Sequence, residues 1–294
     1  MSYNSGLMSL AFAAMLSMSG LAAADEPTIE KLTSALLEYN QVSDTVLPVP
    51  SNEELETIIL GDMINLRQRT SIVTGGQSQD TIRVVAYQLV ERPRLLVWLA
   101  TLNPTTQHTK RLDEYLVDID ESGSSIWYQH LDTPWPVSNR HWVISNVKDT
   151  QIARDTNDLV WEHNWRLTER GEAIAFNLLV NNKVKNLDAS NYEKAIYLPA
   201  NRGAWTMFSI TDDVTLVAAQ TTADMGGWIP DSWVANFASR QLSGVLPKLA
   251  NKADRIHKDY TGETVVFTGA GVAISVEDAV RAQQHYRRSQ NISP

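Results

Sequence analysis

Short apolar segments separated by polar or glycine-containing turns follow one another through the middle of the chain, which predicts short strands of an antiparallel sheet. Residues 81–90 alternate and are rich in β-branched side chains, and a turn at Gly75-Gly76 precedes them. Further strands are predicted at 112–119, 125–129, 140–147, 159–167, 173–179, 192–198, 203–210 and 214–221. Polar or glycine-containing turns separate these segments, as is typical of antiparallel neighbours.

A long helix is predicted after the last of these strands. Residues 231–260 have apolar side chains three and four positions apart, which indicates one amphipathic helix, and Pro247 should kink it. Shorter elements are predicted around it: helices at 27–39, 94–102 and 277–288, and a strand at 264–274.

This order of elements predicts an α+β protein with a helix-grip fold, in which a curved antiparallel sheet wraps around a long C-terminal helix. A sheet and a helix arranged in this way enclose a space between them. With apolar walls, that space is a ligand cavity rather than an open catalytic cleft.

The N-terminus has the pattern of an export signal. Residues 1–24 carry no charged side chain, and the apolar run from Leu7 to Leu21 leads to Ala22-Ala23-Ala24. We expect cleavage after Ala24 and a periplasmic or secreted protein; a retained N-terminal anchor is the alternative. The predicted segments are a signal peptide (1–24), an N-terminal helix and linker (25–54), a main domain (55–260) and a C-terminal extension (261–294).

Composition and charge exclude several classes of function. The 294 residues include 25 Lys and Arg against 34 Asp and Glu, a net charge of −9. This balance argues against a nucleic-acid-binding protein, which needs a basic surface. The chain has no cysteine, which excludes disulfide scaffolds, thiolate metal sites and cysteine nucleophiles and fits an oxidising compartment.

Short matches to catalytic and metal-binding motifs are better interpreted as turns. Asp118–Gly123 fits the first half of a calcium loop, but Gln129 stands where the bidentate carboxylate is needed. Gly269-Ala270-Gly271 lacks the third glycine of a dinucleotide loop. His163 follows Glu162, but neighbours on a strand face opposite sides. We therefore expect no catalytic residue, no metal and no cofactor.

Three ordered motifs carry a resemblance to a known family. Residues 134–143 (PWPVSNRHWV) resemble the P-W-P-[VL]-S-x-R-D-x-V motif of START domains, the lipid-transfer domains related to steroidogenic acute regulatory protein. Residues 224–230 (DMGGWIP) resemble the family's D-P-G-G-x-I-P, and residues 231–236 (DSWVAN) resemble the opening of its C-terminal helix. The resemblance covers about residues 55–260, and with the export signal it suggests a bacterial secreted type.

The sequence departs from the family pattern at a few points. His141 replaces the usual acid, Met225 replaces a proline, and residues 166–191 are a predicted insertion. Structural roles are expected for the remaining motif residues. We expect Trp135 to be a ring pinned between two prolines, and Arg140 to be an ion-pair donor.

A turn and a helix start are predicted just before the long helix. Gly226-Gly227 should form the turn from sheet to helix, and Asp231 should cap the helix.

The resemblance implies a non-catalytic protein that holds one lipid between the sheet and the C-terminal helix and carries or sequesters it in the cell envelope. A sterol, hopanoid, phospholipid or fatty acid would fit, bound by a monomer that contacts membranes transiently. Candidate cavity residues are Trp161, Trp165, Trp205, Met207, Trp233, Phe237, Leu242 and Leu246, with Arg166 and Arg202 as candidates for the head group. For each of these residues, an ordinary core or surface role is the alternative.

Two other classes of function remain open on the sequence. One is a helix-grip enzyme of cyclase or hydrolase type that acts on an apolar substrate. The other is an interaction protein of the cell envelope whose cavity is small or filled.

Overall fold

The structure is a computed structural model that describes residues 26–102, 112–184, 189–260 and 265–289. The predicted signal peptide lies outside these described residues. The helices are α1 (Ile29–Val42), α2 (Asn52–Ile59), α3 (Arg94–Leu102), α4 (Thr150–Asp155), α5 (Gly171–Val180), α6 (Ala189–Lys194), α7 (Asp231–Val245), α8 (Leu249–Ala253), α9 (Ile256–Asp259) and α10 (Val276–Ser289). A 3₁₀ turn, Leu246–Lys248, joins α7 to α8.

The strands confirm the predicted antiparallel sheet. They are β1 (Ile64–Thr74), β2 (Gln77–Val90), β3 (Leu112–Ile119), β4 (Ser125–Leu131), β5 (Arg140–Asp149), β6 (Val160–Leu167), β7 (Ile196–Tyr197), β8 (Ala200–Thr211), β9 (Val214–Asp224), β10 (Val265–Phe267) and β11 (Ala273–Ser275). The main sheet has the order β1-β2-β9-β8-β6-β5-β4-β3, and each neighbouring pair on this path is antiparallel. The short strand β7 pairs in parallel with β5.

Helices cover both faces of this curved sheet, which is the predicted α+β helix-grip arrangement. On the concave face, α7 packs against β2 and β9, and α3 packs against α8 and β8. On the convex face, α1 packs against β8 and α2 against β1 and β2. Strand β6 shows the alternation directly: Glu162 bonds to Tyr39 of α1, whereas His163 bonds to Thr101 of α3.

Two predicted strands after β6 are wrong. Residues 173–179 form most of α5, and of residues 192–198 only Ile196 and Tyr197 are in a strand. The segment from Ala173 to Val180 is apolar at nearly every position, and such a run does not distinguish a strand from a buried helix. Packing against β5 favours the helix, because Ala175 of α5 is buried beside Val143 of β5.

The predicted single helix over 231–260 is also wrong in its length, although the break at Pro247 is confirmed. Helix α7 ends at Val245, and the 3₁₀ turn that contains Pro247 separates it from the short helices α8 and α9. Proline has no backbone N–H and its ring clashes with the preceding turn, so a regular helix cannot continue through it.

The C-terminal extension forms a hairpin rather than one strand. Strands β10 and β11 pair with each other and not with the main sheet, and a turn that includes Gly269 to Gly271 joins them. The closing helix predicted over 277–288 is confirmed as α10, which packs against α3 and α9.

The motif around Trp135 has a different structure from the one predicted. Trp135 is 92% exposed, so its ring is not pinned in the core. Arg140, in the same motif, is buried, and its guanidinium donates to the carbonyls of Ser138, Met225 (Nε, 2.7 Å) and Gly226 (Nη2, 3.2 Å). The predicted ion pair of Arg140 is therefore wrong: backbone carbonyls of two loops take the place of a carboxylate.

The predicted turn into α7 is confirmed, whereas the predicted helix cap at Asp231 is wrong. Gly226 and Gly227 have φ of 69° and 76°, a left-handed conformation that favours glycine. Helix α7 is capped at Pro230, so Asp231 lies in the first turn, where its charge suits the helix dipole.

Candidate ligand cavity

A cavity of about 280 Å³ lies between the concave face of the sheet and α7. Strands β2 to β6, β8 and β9 supply one wall, α7 supplies the opposite wall, and α3 and α8 close one end. Its apolar wall includes Leu102, Leu112, Ile144, Leu198, Met225, Val234, Phe237, Leu242, Val245 and Leu249. A space of this size with such walls suits an apolar ligand rather than a hydrated one.

Four tryptophans belong to the wall on the sheet side, and three of them have a partner for the indole N–H within the wall. Trp127 donates to Ser125 Oγ (2.9 Å), Trp165 to Asn201 Oδ1 (3.2 Å), and Trp142 to Gln129 Oε1. Trp205 is the fourth. Because these N–H groups are already bonded, the rings can act as rigid apolar wall.

One polar set in the wall is satisfied internally. Gln129 accepts from the Trp142 indole and donates to Glu114 Oε1, which lies on the neighbouring strand β3. Glu114, Gln129 and Trp142 thus form a hydrogen-bonded chain across β3, β4 and β5.

A second polar set surrounds His163 at the end of the cavity beside α3. His163 is 1% exposed, and its ring lies edge-on to Trp98 at 5.2 Å between centroids. Its Nε2 is 3.0 Å from Thr101 Oγ1, and its Nδ1 is 3.0 Å from Asn146 Oδ1. Both ring nitrogens are therefore engaged.

Burial makes this histidine a weak base. Removal from water, with a smaller effect from the positive charge of Lys148, lowers the pKa of His163 to about 3. A general base works best with a pKa near the operating pH. His163 is therefore a neutral hydrogen-bonding group near pH 7.

Four of the candidate residues from the sequence lie in the cavity wall. Trp165 and Trp205 stand on β6 and β8, and Phe237 and Leu242 stand on α7. Contact between these four residues and a ligand stays a prediction, which a binding measurement tests.

Three other candidates are buried next to the cavity rather than in its wall. Trp161 packs edge-on against Trp98 at 5.6 Å, and Arg94 lies 4.0 Å over its ring. Met207 is fully buried in the same cluster. Leu246 is buried with Leu242 at the end of α7.

Trp233 lies outside the cavity, in a groove of about 200 Å³ that Pro134 and Arg240 also line. It stacks on Phe237 with ring centroids 5.9 Å apart and planes 5° from parallel. Phe237 lines both the groove and the cavity, so its side chain is part of the wall that separates them.

The two candidate head-group arginines lie on the other face of the sheet. Arg166 and Arg202 are opposite each other on β6 and β8, and both are exposed. Arg202 donates to the carbonyl of Ser71 (2.9 Å). Neither residue lines the cavity.

Sequence reasoning missed the polar side chains of the cavity, above all Ser125, Gln129 and Asn146. They alternate with or follow inward tryptophans, as in Ser125-x-Trp127-x-Gln129 and Trp142-x-Ile144-x-Asn146. This period of two placed them on the face of the tryptophans and was the available signal.

Across residues 26–102, 112–184, 189–260 and 265–289, no group of three or more His, Asp or Glu is placed to hold a metal ion. Within the same ranges, none of the helices has the length and the apolar composition that crossing a membrane requires.

Comparison with known proteins gives similarity in fold. No protein-family model and no curated protein matches this sequence. A STAR-related lipid transfer protein from Xanthomonas axonopodis is similar in structure with a TM-score of 0.38 and 15% identity, over 63% of this chain and 98% of that one. Human STARD10 has a TM-score of 0.41 and 10% identity, over 72% and 83%.

A Streptomyces aromatase/cyclase, Zhui, is similar with a TM-score of 0.33 and 12% identity, over 67% of this chain and 97% of that one. At these identities and scores the similarity concerns the fold alone. The helix-grip fold of this chain is visible in its own sheet order and in the position of α7.

Proposed function

We propose that this protein binds a single hydrophobic lipid in the cavity between the sheet and α7, and carries or sequesters it. The observation that supports the proposal is the cavity itself: about 280 Å³ with four tryptophans in its wall. Apolar surface that leaves water for such a site gains on the order of 25 cal/mol per Å².

We propose further that the protein is a carrier and not a catalyst. The cavity histidine, His163, has a pKa lowered to about 3 and both nitrogens bonded. Glu114 accepts a hydrogen bond from Gln129. The two groups stand on different strands, β6 and β3, with β5 and β4 between them. This separation does not favour a joint acid–base step.

The proposed place of action is the cell envelope, with cleavage of the chain after Ala24. N-terminal sequencing of the protein from its native host tests this, because the expected first residue is Asp25. A chain that still begins at Met1 would contradict the proposal.

Lipid binding can be tested with an apolar dye. The fluorescence of N-phenyl-1-naphthylamine should rise when it is added to the purified protein, and lipid extracted from protein of the native host should compete with it. Ala238→Phe, on α7 in the cavity wall, should weaken dye binding because the larger side chain fills the space.

The matched control is Ala173→Phe, the same change at an exposed position of α5. It should leave dye binding unchanged. A protein that binds neither dye nor lipid would favour the interaction protein without a ligand. Chemical conversion of a bound apolar compound would favour the enzyme.

A further inference from the structure

We propose that the end of the cavity beside α3 is a subsite for one hydroxyl group of the ligand, held between Ser125 and Asn146. The inference rests on the proposed function, because it names a chemical group of the ligand that the cavity binds.

Ser125 and Asn146 lie directly opposite each other on β4 and β5, and both line the cavity. Side chains that are opposite on antiparallel strands have β-carbons about 4.5–5.5 Å apart. A group as small as a hydroxyl can therefore contact both side chains at once.

A chain of hydrogen bonds orients Asn146. Thr101 donates its only proton to the carbonyl of Trp98 (2.7 Å), so its oxygen accepts from His163 Nε2–H (3.0 Å). A neutral histidine with a proton on Nε2 has an acceptor at Nδ1. The Asn146 atom placed 3.0 Å from Nδ1 is Oδ1, which would set two acceptors against each other. We therefore turn the amide by 180°, so that Nδ2–H donates to Nδ1, because amide oxygen and nitrogen are assigned from the hydrogen-bond network.

This orientation leaves the carbonyl oxygen of Asn146 as an acceptor on the cavity wall. Opposite it, Ser125 Oγ accepts from the Trp127 indole (2.9 Å), and its own O–H remains able to donate. The pair therefore offers one acceptor and one donor across a short gap.

A hydroxyl matches this pair, since its proton can go to Asn146 and its oxygen can accept from Ser125. A carboxylate, a halide and an ether oxygen all lack a proton that they could donate to the Asn146 carbonyl. The polar set of Glu114, Gln129 and Trp142 differs, because its members bond to one another. The subsite therefore selects an alcohol over an acid or an alkane.

The test compares three ligands of the same chain length at pH 7.5: 1-decanol, 1-chlorodecane and decanoic acid. Each competes with N-phenyl-1-naphthylamine for the full-length protein. We expect 1-decanol to bind about tenfold more tightly than 1-chlorodecane, the factor that corresponds to one or two net hydrogen bonds. Decanoic acid should bind more weakly than the alcohol.

Two variants probe the two sides of the subsite. Ser125→Ala and Asn146→Leu should each remove most of the tenfold preference for the alcohol while 1-chlorodecane binds as before. Ser125→Ala leaves the contact between Asn146 and His163 in place, so it tests the subsite even if Asn146→Leu folds poorly. Ser145→Ala is the matched control, because Ser145 precedes Asn146 on β5 and so lies on the opposite face of the sheet, outside the cavity wall. It should keep the full preference for the alcohol.

The outcomes separate the inference from the proposed function. Equal binding of 1-decanol and 1-chlorodecane, tighter binding of decanoic acid, or an alcohol preference that persists in both variants would overturn the hydroxyl subsite while lipid binding stands. If neither the dye nor any of the three ligands binds, the proposed function fails and the subsite fails with it.

Discussion

A β-carbon on Gly269 would lie 2.3 Å from both Cβ and Cγ of Trp161, so the C-terminal hairpin meets β6 at a position that only glycine fits. The same hairpin supplies the carbonyl of Phe267, which accepts from the Trp98 indole (2.8 Å). Trp98 belongs to α3, the helix that closes one end of the cavity. The hairpin therefore braces that end of the cavity from outside.

Gly269→Ala should lower the free energy of unfolding by about 1–3 kcal/mol, because the methyl group overlaps Trp161. Gly244→Ala is the matched control. Nothing lies within 4 Å of a β-carbon there, and the residue is in α7, so alanine should stabilise by about 0.5–1 kcal/mol. Urea unfolding of both variants measures these changes in the free energy of unfolding, which should have opposite signs. Destabilisation by both changes, or by neither, would contradict the close packing at Gly269.

Trp135→Ala should change the free energy of unfolding by less than about 0.5 kcal/mol, because the side chain is 92% exposed. Trp98→Ala should cost about 3–5 kcal/mol, since Trp98 is fully buried and donates to Phe267. Thermal unfolding of the two variants separates a surface tryptophan from a core one. A large loss of stability in Trp135→Ala would show instead that the ring is buried, as the sequence motif predicted.

Acid should destabilise the fold through His141. This residue is 3% exposed, and its ring contacts those of Tyr192 and Tyr197 at 5.0 and 5.2 Å between centroids. Burial, and secondarily the charge of His130, lowers the pKa of His141 to about 4. Between about pH 6.5 and pH 4 the unfolded chain binds the proton more readily, so stability falls as the pH falls, by up to about 3 kcal/mol.

The measurement is the urea midpoint of wild type and His141→Gln from pH 7.5 to pH 4. The variant should show a shallower fall over this range whatever its stability at pH 7.5, whereas His285→Gln, at an exposed position of α10, should follow wild type. Glu162 has the opposite effect on stability. Burial raises the pKa of its carboxyl, so protonation of Glu162 stabilises the folded state as the pH falls. Parallel curves for wild type and His141→Gln would refute the role of this histidine.

Helix α1 should be held to the sheet by the buried carboxyl of Glu162. Tyr39 of α1 and Thr206 of β8 both donate to Glu162 Oε2 at 2.7 Å. Glu162→Leu leaves two buried hydroxyls without an acceptor and should cost about 2–4 kcal/mol. Glu162→Gln keeps an acceptor oxygen and should cost less. Hydrogen exchange of the α1 amides should rise in the first variant far more than in the second, and equal exchange in the two would argue against this anchor.

Short runs of strand-forming residues between turns were enough to predict most of the strands, because tight turns and local composition specify antiparallel neighbours. These signals failed at residues 173–179, where apolar residues occupy both faces and tertiary packing on β5 selects a helix. The motif around Trp135 also misled: it marked a rigid corner, but the residue that fixes this corner is Arg140.

The sequence predicted a cavity between the sheet and the helix, but it predicted only some of the residues that line this cavity. Trp165, Trp205, Phe237 and Leu242 line it, whereas Trp161 and Met207 on the same strands are covered by α3 and the C-terminal hairpin. A pattern of period two gives the face of a residue. It does not give the position along the strand at which a neighbouring helix closes the space.

The sequence by itself determined most of the antiparallel strands, the break at Pro247 and the sharp turn at Gly226-Gly227, because each follows from backbone geometry over a few residues. Only the tertiary structure decided which polar side chains meet at the cavity end. Asn146 and His163 lie on neighbouring strands, but Thr101 is 62 positions from His163. Their contact depends on how α3 folds over the sheet, which is fixed by the burial of Trp98 and by its bond to Phe267. Such long-range packing leaves no local signal in the sequence.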